Sequence, residues 1–145
     1  MITIALTYRN RDLQIVKNCL DSFQNQANTN FKVVLVDYGS VEAYKNKLST
    51  LVSKYSFVKL IQCKTQQQLW CKSRGINIVL KQCETPSFFV GDIDMMYHSD
   101  FVETLFNLQS EKAVTYFQVG FLSKTESKNK KTFNDYNISF KSNEE

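Results

Sequence analysis

The feature that most constrains this chain is a run at 31–36 (FKVVLV) that is almost entirely apolar and ends in Asp37. A strand with one solvent-facing side alternates apolar and polar residues, whereas a strand covered on both faces is apolar nearly throughout. Strands of that kind belong to parallel sheets with helices packed on each side. We therefore expect residues 31–37 to form a buried strand of an α/β sheet.

Helix and strand patterns alternate along the rest of the chain, as such a sheet requires. Short β-prone runs predict strands, and apolar residues at helical spacing predict helices. The predicted strands are 2–6, 31–37, 57–61, 87–91 and 113–122, and the predicted helices are 13–23, 41–55, 69–83 and 101–108. This order requires a mostly parallel sheet with right-handed crossovers and helices on both faces. Residues 133–140 are a candidate for one more strand.

Several residues have the chemistry of helix caps and tight turns. Asp12 and Ser40 precede predicted helices and can accept hydrogen bonds from N–H groups of the first turn. Asp100 and Glu103 have the spacing of a capping box for the last predicted helix. Gly39 permits a tight turn between the second strand and the second helix.

The third predicted helix contains a glycine. The apolar spacing of this helix points Leu69, Ile76, Leu80 and Cys83 inward. Gly75 lowers the helix propensity by about 1 kcal/mol relative to alanine. A close approach of another group to the helix at Gly75 would explain that cost.

Composition excludes several classes of protein. The 145 residues are 43% hydrophobic and 22% charged, which is typical of one soluble globular domain. The net charge of +4 is spread along the chain, so nucleic acid is not an expected partner. No apolar run reaches the roughly 18 residues of a membrane span, and the N-terminus lacks the pattern of a signal peptide. The four cysteines have no C-x-x-C spacing, and we expect free thiols in a reducing cytoplasm.

Three polar segments follow three of the predicted strands. They are 7–11, 37–40 and 92–94, and the parallel order brings them to one edge of the sheet, where open α/β folds bind ligands. Asp92 and Asp94 point to the same side of an extended segment, and such a pair suits a hard divalent cation that also contacts phosphate oxygens. The bland alternative is that both aspartates only shape a turn, since Asp favours turns.

Further side chains near this edge have the chemistry of a nucleotide site. The Asp37 carboxylate can accept a hydrogen bond from an imide N–H such as that of uracil. Tyr8 can stack on a base, and Arg9 can support the stacking or pair with phosphate. Arg74, one turn into the third helix, can reach a diphosphate, and Asp92 can hold a ribose hydroxyl instead of the metal.

Four motifs in this order resemble glycosyltransferase family 2, whose members have the GT-A fold. The first is the loop Thr7–Arg11, similar to a Thr-Tyr-Asn-Arg loop, and the second is Asp37–Ser40, similar to Asp-Asp-Gly-Ser with tyrosine at the second position. The third is Ser73–Asn77, loosely similar to Arg-Asn-x-Gly, and the fourth is the Asp-x-Asp motif, Asp92–Asp94. The resemblance covers residues 1–122, which would form the nucleotide-sugar-binding domain.

The resemblance implies a metal-dependent glycosyltransferase of the hexosyltransferase type. The donor would be a nucleotide-diphospho-sugar, most often a UDP-sugar, and the cation Mn²⁺ or Mg²⁺. A glycan or lipid-linked acceptor, polysaccharide biosynthesis, and a cytoplasmic location with peripheral membrane association are family-level expectations. The implied nucleotide-sugar-binding residues are Thr7, Tyr8, Arg9, Asp37, Tyr38, Arg74, Asp92 and Ile93, and the implied metal ligands are Asp94 and Asp92.

The sequence leaves the catalytic base unassigned. Family members usually continue into an acceptor-binding region, so the expected fold is a GT-A sheet truncated at its C-terminal side. Residues 123–145 are expected to be a polar loop and a partly disordered tail. In this tail only Asp135 is a carboxylate with aromatic neighbours, and it is the candidate base.

Two other functions compete with glycosyl transfer. One is a truncated or inactive domain that binds nucleotide-sugar without transferring the sugar. The other is a phosphohydrolase with Asp-x-Asp as nucleophile and acid, but that chemistry normally requires the motif after the first strand.

Overall fold

The computed structural model describes residues 1–109, 114–122 and 125. Strands and helices alternate along them, as predicted. The strands are β1 (Ile2–Tyr8), β2 (Phe31–Tyr38), β3 (Val58–Cys63) and β4 (Ser87–Val90), and the helices are α1 (Leu13–Gln24), α2 (Glu42–Val52), α3 (Lys72–Leu80) and α4 (Phe101–Asn107). Among the described residues no helix is long and apolar enough to cross a membrane.

The four strands form one sheet in the order β3-β2-β1-β4, and all neighbouring pairs are parallel. The register pairs Ile2 with Phe31 on one side and with Ser87 on the other. Since all strands run the same way, their carboxyl ends meet at one edge of the sheet. The prediction of a parallel α/β sheet is therefore confirmed.

Helices cover both faces of the sheet and bury two separate clusters of side chains. On one face α1, α2 and α4 pack over the strands, with Leu20, Leu48 and Val102 among the fully buried residues. On the other face α3 is the one helix among the described residues, and its Val79 joins a cluster with Ala5, Val34, Val36 and Tyr38. This explains the apolar run of β2, because its residues enter both cores in alternation.

The predicted inward face of α3 is wrong. Leu69 lies before the helix and is 90% exposed, and Leu80 is 47% exposed. The buried residues of the helix are Gly75 and Val79, one turn apart. The close approach predicted at Gly75 is present, since a Cβ built there would lie 2.8 Å from Thr7 Cγ2, but the apolar spacing placed the wrong side chains against the sheet.

The predicted caps are confirmed at one helix and wrong at two. Asp12 caps α1, and its Oδ1 accepts a hydrogen bond from Gln14 N at 2.8 Å. Ser40 does not cap α2, because its hydroxyl accepts from the backbone N–H of Asn10 instead. Asp100 occupies the N-cap of α4 without a side-chain cap bond, and Glu103 accepts from Asn28, so no capping box forms.

The strand predicted at 113–122 is also wrong for its described part. Residues 114–122 have no strand structure, although their side chains are β-branched and aromatic. Phe117 packs its ring against Phe89 and Phe101, with centroids 6.0 and 5.2 Å apart, while Tyr116 and Phe121 are exposed. A strand needs a hydrogen-bonded neighbour, and β propensity alone does not supply one.

Two predictions fall outside the described residues. These are the strand at 133–140 and nearly all of the polar tail at 123–145, of which only residue 125 is described. The boundary at residue 122 thus remains a prediction.

Candidate functional site

The loops that follow β1 and β2 are joined by hydrogen bonds at the carboxyl edge of the sheet. Asn10 adopts a left-handed backbone conformation with φ of 49°. Its N–H donates to Ser40 Oγ at 3.0 Å, and its Oδ1 accepts from Val41 N at 2.9 Å. The expected convergence of these two segments is therefore present, and a single asparagine holds them together.

The acidic turn after β4 lies at the same edge. Asp92 and Asp94 are exposed, whereas Ile93 between them is 5% exposed and belongs to the core. The backbone carbonyl of Asp92 accepts from the Tyr97 hydroxyl at 3.4 Å and from the Cys19 thiol at 3.8 Å. The core thus fixes the backbone of the turn. Residues 92–95 form a turn closed by the Met95 N–H and the Asp92 carbonyl at 3.3 Å, not the extended segment that was predicted, and both carboxylates are exposed.

Two cations from other parts of the fold pair with these carboxylates. The Nη2 of Arg11, in the loop after β1, lies 3.4 Å from the Oδ2 of Asp94. Lys72, the first residue of α3, forms an ion pair with Asp92 Oδ1. Sequence reasoning assigned neither cation a role. The helix that was expected to begin near residue 69 begins at Lys72, and this start brings the lysine to the strand ends.

Asp37 is fully buried at the end of β2. Its Oδ1 accepts a hydrogen bond from the Ser40 N–H at 3.0 Å. Its Oδ2 has no hydrogen-bond partner among the residues that the structure describes. Burial of an unpaired carboxylate oxygen is costly, because the desolvation of the charge is not compensated. A hydrogen bond to this oxygen from a donor outside the described residues would offset that cost.

A segment between β3 and α3 crosses the end of β2, and we call residues 65–70 the strap. Arg9 holds it by donating to the backbone carbonyls of Gln68 and Gln66 at 2.7 and 2.9 Å. The Tyr38 hydroxyl donates to Gln68 Oε1 at 2.8 Å, and Arg74 Nη1 lies 3.4 Å from the same oxygen. Arg9, Tyr38 and Arg74, all predicted to bind nucleotide, thus converge on one glutamine of the strap.

The strap also packs closely on the turn after β2. Gly39 has φ of +86°, and a Cβ built there would lie 2.6 Å from the Thr65 carbonyl carbon. The hydroxyl of Thr65 is buried and, like Asp37 Oδ2, has no partner among the described residues. Trp70, at the end of the strap, contacts Tyr38 edge-on with ring centroids 6.2 Å apart. A glycine is therefore required at this turn for space as well as for conformation.

Five of the predicted nucleotide-binding residues are buried, namely Thr7, Tyr8, Asp37, Tyr38 and Ile93. Tyr8 is 0% exposed, so it offers no free ring face for stacking, and its hydroxyl donates to the Arg11 carbonyl at 2.9 Å. Burial, with a smaller contribution from the Asp37 charge, raises the pKa of Tyr8 to about 12. Thr7 is 5% exposed and faces Gly75, where a Cβ would lie 2.8 Å from its Cγ2. Tyr8 and Thr7 shape the floor of the site.

The acidic pair meets the requirements of one kind of metal site. Among the described residues no group of three or more His, Cys, Asp and Glu side chains could hold a metal ion. A cation that depended on protein ligands alone therefore does not fit. Mg²⁺ and Mn²⁺ instead often take one or two carboxylates and complete their shell with water and substrate phosphates. Asp92 and Asp94 fit a cation that arrives with a diphosphate.

The structure is an α/β fold with an open parallel sheet, and proteins of this class bind ligands at the carboxyl edge of the sheet. The model of the family described as glycosyl transferase family 2 matches residues 3–144, and the chain belongs to that family. Its sheet and helices have the GT-A fold. Comparison with curated proteins gives no significant match.

Solved structures support the fold assignment. S. aureus TarS matches with 21% identity and a TM-score of 0.60, covering 73% of this chain and 19% of that one. TarS 1–349 in complex with UDP-GlcNAc matches with 22% identity and a TM-score of 0.59, covering 73% and 30%. The mannosyltransferase PcManGT from Pyrobaculum calidifontis, in complex with GDP-Man and Mn²⁺, matches with 16% identity and a TM-score of 0.58, covering 68% and 29%. The chain thus spans less than a third of the length of these proteins.

Proposed function

We propose that the chain transfers a sugar from a nucleotide-diphospho-sugar to an acceptor hydroxyl, with a divalent cation bound at Asp92 and Asp94. The observation that carries the proposal is the pair of exposed carboxylates on a turn whose backbone the core holds, at the edge where the loops after β1 and β2 also lie. Bound there, Mn²⁺ or Mg²⁺ would neutralise charge on the departing nucleoside diphosphate.

The donor we propose is a UDP-sugar. The Oδ2 of Asp37, which is buried without a partner among the described residues, would accept the imide N–H of uracil. TarS 1–349, solved in complexes with UDP-GlcNAc and with UDP, supports this choice, and PcManGT with GDP-Man and Mn²⁺ supports the metal. Guanine also presents ring and exocyclic N–H groups to a carboxylate, so GDP is the comparison ligand.

The transfer itself requires a base and an acceptor. The acceptor oxygen would attack the anomeric carbon as the bond to the diphosphate breaks, and a carboxylate would take the hydroxyl proton in an inverting reaction. Asp135, the proposed base, lies outside the described residues. A hexosyl donor, a glycan or lipid-linked acceptor, a role in polysaccharide biosynthesis and a peripheral place at the membrane complete the proposal, and residues 1–122 would form the donor domain.

Calorimetric titration with UDP tests the proposal. The wild-type chain should bind UDP in the presence of Mn²⁺ and bind it at least tenfold more weakly without Mn²⁺. Asp94→Ala should lose the gain in UDP affinity that Mn²⁺ provides, because one of the two protein ligands of the metal is removed. A UDP affinity that changes neither on removal of Mn²⁺ nor in Asp94→Ala would contradict a metal site at the Asp-x-Asp turn. UDP binding without release of sugar from UDP-sugars, with or without acceptors, would favour the donor-binding alternative.

A further inference from the structure

We propose that Lys72 and Arg11 are phosphate-binding residues that pair with the Asp92 and Asp94 carboxylates until a metal ion and a nucleotide diphosphate enter together. This inference rests on the proposed function and adds two residues to it. It also predicts that metal and nucleotide bind cooperatively.

The first step of the argument is the contact itself. Each carboxylate of the Asp-x-Asp turn pairs with one cation, Asp92 with Lys72 and Asp94 with Arg11. The cations come from α3 and from the loop after β1, so the two pairs join the acidic turn to two separate elements of the fold. All four side chains are between 40% and 59% exposed, and exposed ion pairs of this kind are weak and easily exchanged.

The second step is a balance of charge. Without ligand, two carboxylates and two cations cancel. A divalent cation at the carboxylates satisfies them but leaves Lys72 and Arg11 without counter-charges. The diphosphate of a nucleotide sugar carries two negative charges and supplies the missing partners. With metal and diphosphate both present, these four side chains are all paired again, and Lys72 at the first turn of α3 also adds to the positive end of the helix dipole.

The third step is linkage. Metal alone must break two ion pairs and leaves two cations unsatisfied, so it binds weakly. Diphosphate alone draws the cations away and exposes two carboxylates, so it also binds weakly. Each ligand removes the penalty of the other, and the effect is reciprocal by thermodynamic necessity. Removal of Lys72 should therefore strengthen metal binding on its own and weaken nucleotide binding in the presence of metal.

The test compares three forms of the chain: wild type, Lys72→Gln and Lys17→Gln. Lys17→Gln is the matched control, because it removes the same charge from another ion pair, with Asp21 on α1. Mn²⁺ affinity is measured by electron paramagnetic resonance without nucleotide, and UDP and GDP affinities are measured by calorimetry at saturating Mn²⁺. Arg11→Gln, measured in the same way, tests the second pair.

For Lys72→Gln we expect Mn²⁺ alone to bind about two- to fivefold more tightly than to the wild type, as expected for loss of an exposed competing pair. We expect UDP at saturating Mn²⁺ to bind about tenfold more weakly, and Lys17→Gln to match the wild type in both measurements. A variant in which Mn²⁺ alone binds more weakly, or in which neither affinity changes, overturns the proposal while wild-type UDP binding stands.

If the wild type binds neither UDP nor GDP with Mn²⁺, the proposed function fails and the phosphate role of Lys72 and Arg11 fails with it. The Mn²⁺ affinities measured without nucleotide would then still show whether Lys72 competes with the metal for the carboxylates.

Discussion

Asp37 is the residue at which stability and function conflict most clearly. The backbone holds one carboxylate oxygen through the Ser40 N–H, and the other is buried without a partner among the described residues. A fold optimised only for stability would not retain a half-satisfied buried charge. We infer that the residue is kept for a ligand, and this inference can be separated from a purely structural role.

The substitution Asp37→Asn separates a ligand-binding role of this residue from a purely structural one. Asparagine can still accept from the Ser40 N–H, and it removes the charge that is costly to bury. We expect the free energy of unfolding, measured with urea, to stay the same or to rise by about 1 kcal/mol. We expect UDP affinity to fall about tenfold to a hundredfold, as for the loss of one hydrogen bond to a charged group.

Asp12→Asn is the control for this change. Asp12 caps α1 from an exposed position, and asparagine caps a helix about as well as aspartate. Both measurements should match the wild type. If Asp37→Asn instead unfolds the protein more easily and binds UDP normally, the carboxylate only stabilises the turn before α2.

At the scale of elements, the contact between α3 and β1 determines where two cations of α3 lie at the carboxyl edge of the sheet. Gly75 lets the helix approach Thr7, and Lys72 and Arg74 project from the same helix toward the acidic turn and the strap. A helix that stood further from the sheet would carry both cations away from the site. The glycine predicted to mark a close approach therefore has that role.

Gly75→Ala should lower the free energy of unfolding by about 1–2 kcal/mol. The added Cβ would lie 2.8 Å from Thr7 Cγ2, and the methyl of a β-branched residue in a buried strand has little room to move. This cost exceeds the gain of about 1 kcal/mol in helix propensity. Chemical denaturation measures the change.

The sign of this effect should reverse when Thr7 is replaced by serine. Serine lacks the Cγ2, and the next contacts of the added Cβ, Thr7 Cβ at 3.5 Å and Val36 Cγ1 at 3.9 Å, are ordinary. Gly75→Ala in the Thr7→Ser background should then raise stability by up to about 1 kcal/mol through helix propensity. A loss of equal size in both backgrounds would show that the methyl is not the obstacle.

On the scale of the whole molecule, the fold could be predicted from sequence patterns that do not depend on contacts between distant residues. The apolar run of β2, the alternation of strands and helices, and the polar residues at strand ends were sufficient to predict a parallel sheet and one shared edge. The acidic turn after β4 is exposed at Asp92 and Asp94 and buried at Ile93, while the shared direction of the two carboxylates stays a prediction. These properties arise from periodicity, which a sequence displays directly.

The parts that could not be predicted depend on partners distant in sequence. Tyr8 looked available for stacking, but its strand is covered on both faces and the ring is buried. Lys72 had no predicted role, and the observed start of α3 brings it to Asp92. Residues 114–122 have the composition of a strand without a neighbour to pair with. In each instance tertiary contacts overrode the local preference.

The most direct test of the account is a crystal structure of the chain with UDP and Mn²⁺, with the metal located by its anomalous scattering. We predict one Mn²⁺ peak in contact with Asp94, shared with Asp92 and with diphosphate oxygens, and uracil hydrogen-bonded to Asp37. Lys72 and Arg11 should have left the carboxylates and contact the diphosphate. UDP bound at this edge with no metal peak, and with Lys72 still paired to Asp92, would contradict a metal-dependent donor site built on the Asp-x-Asp turn.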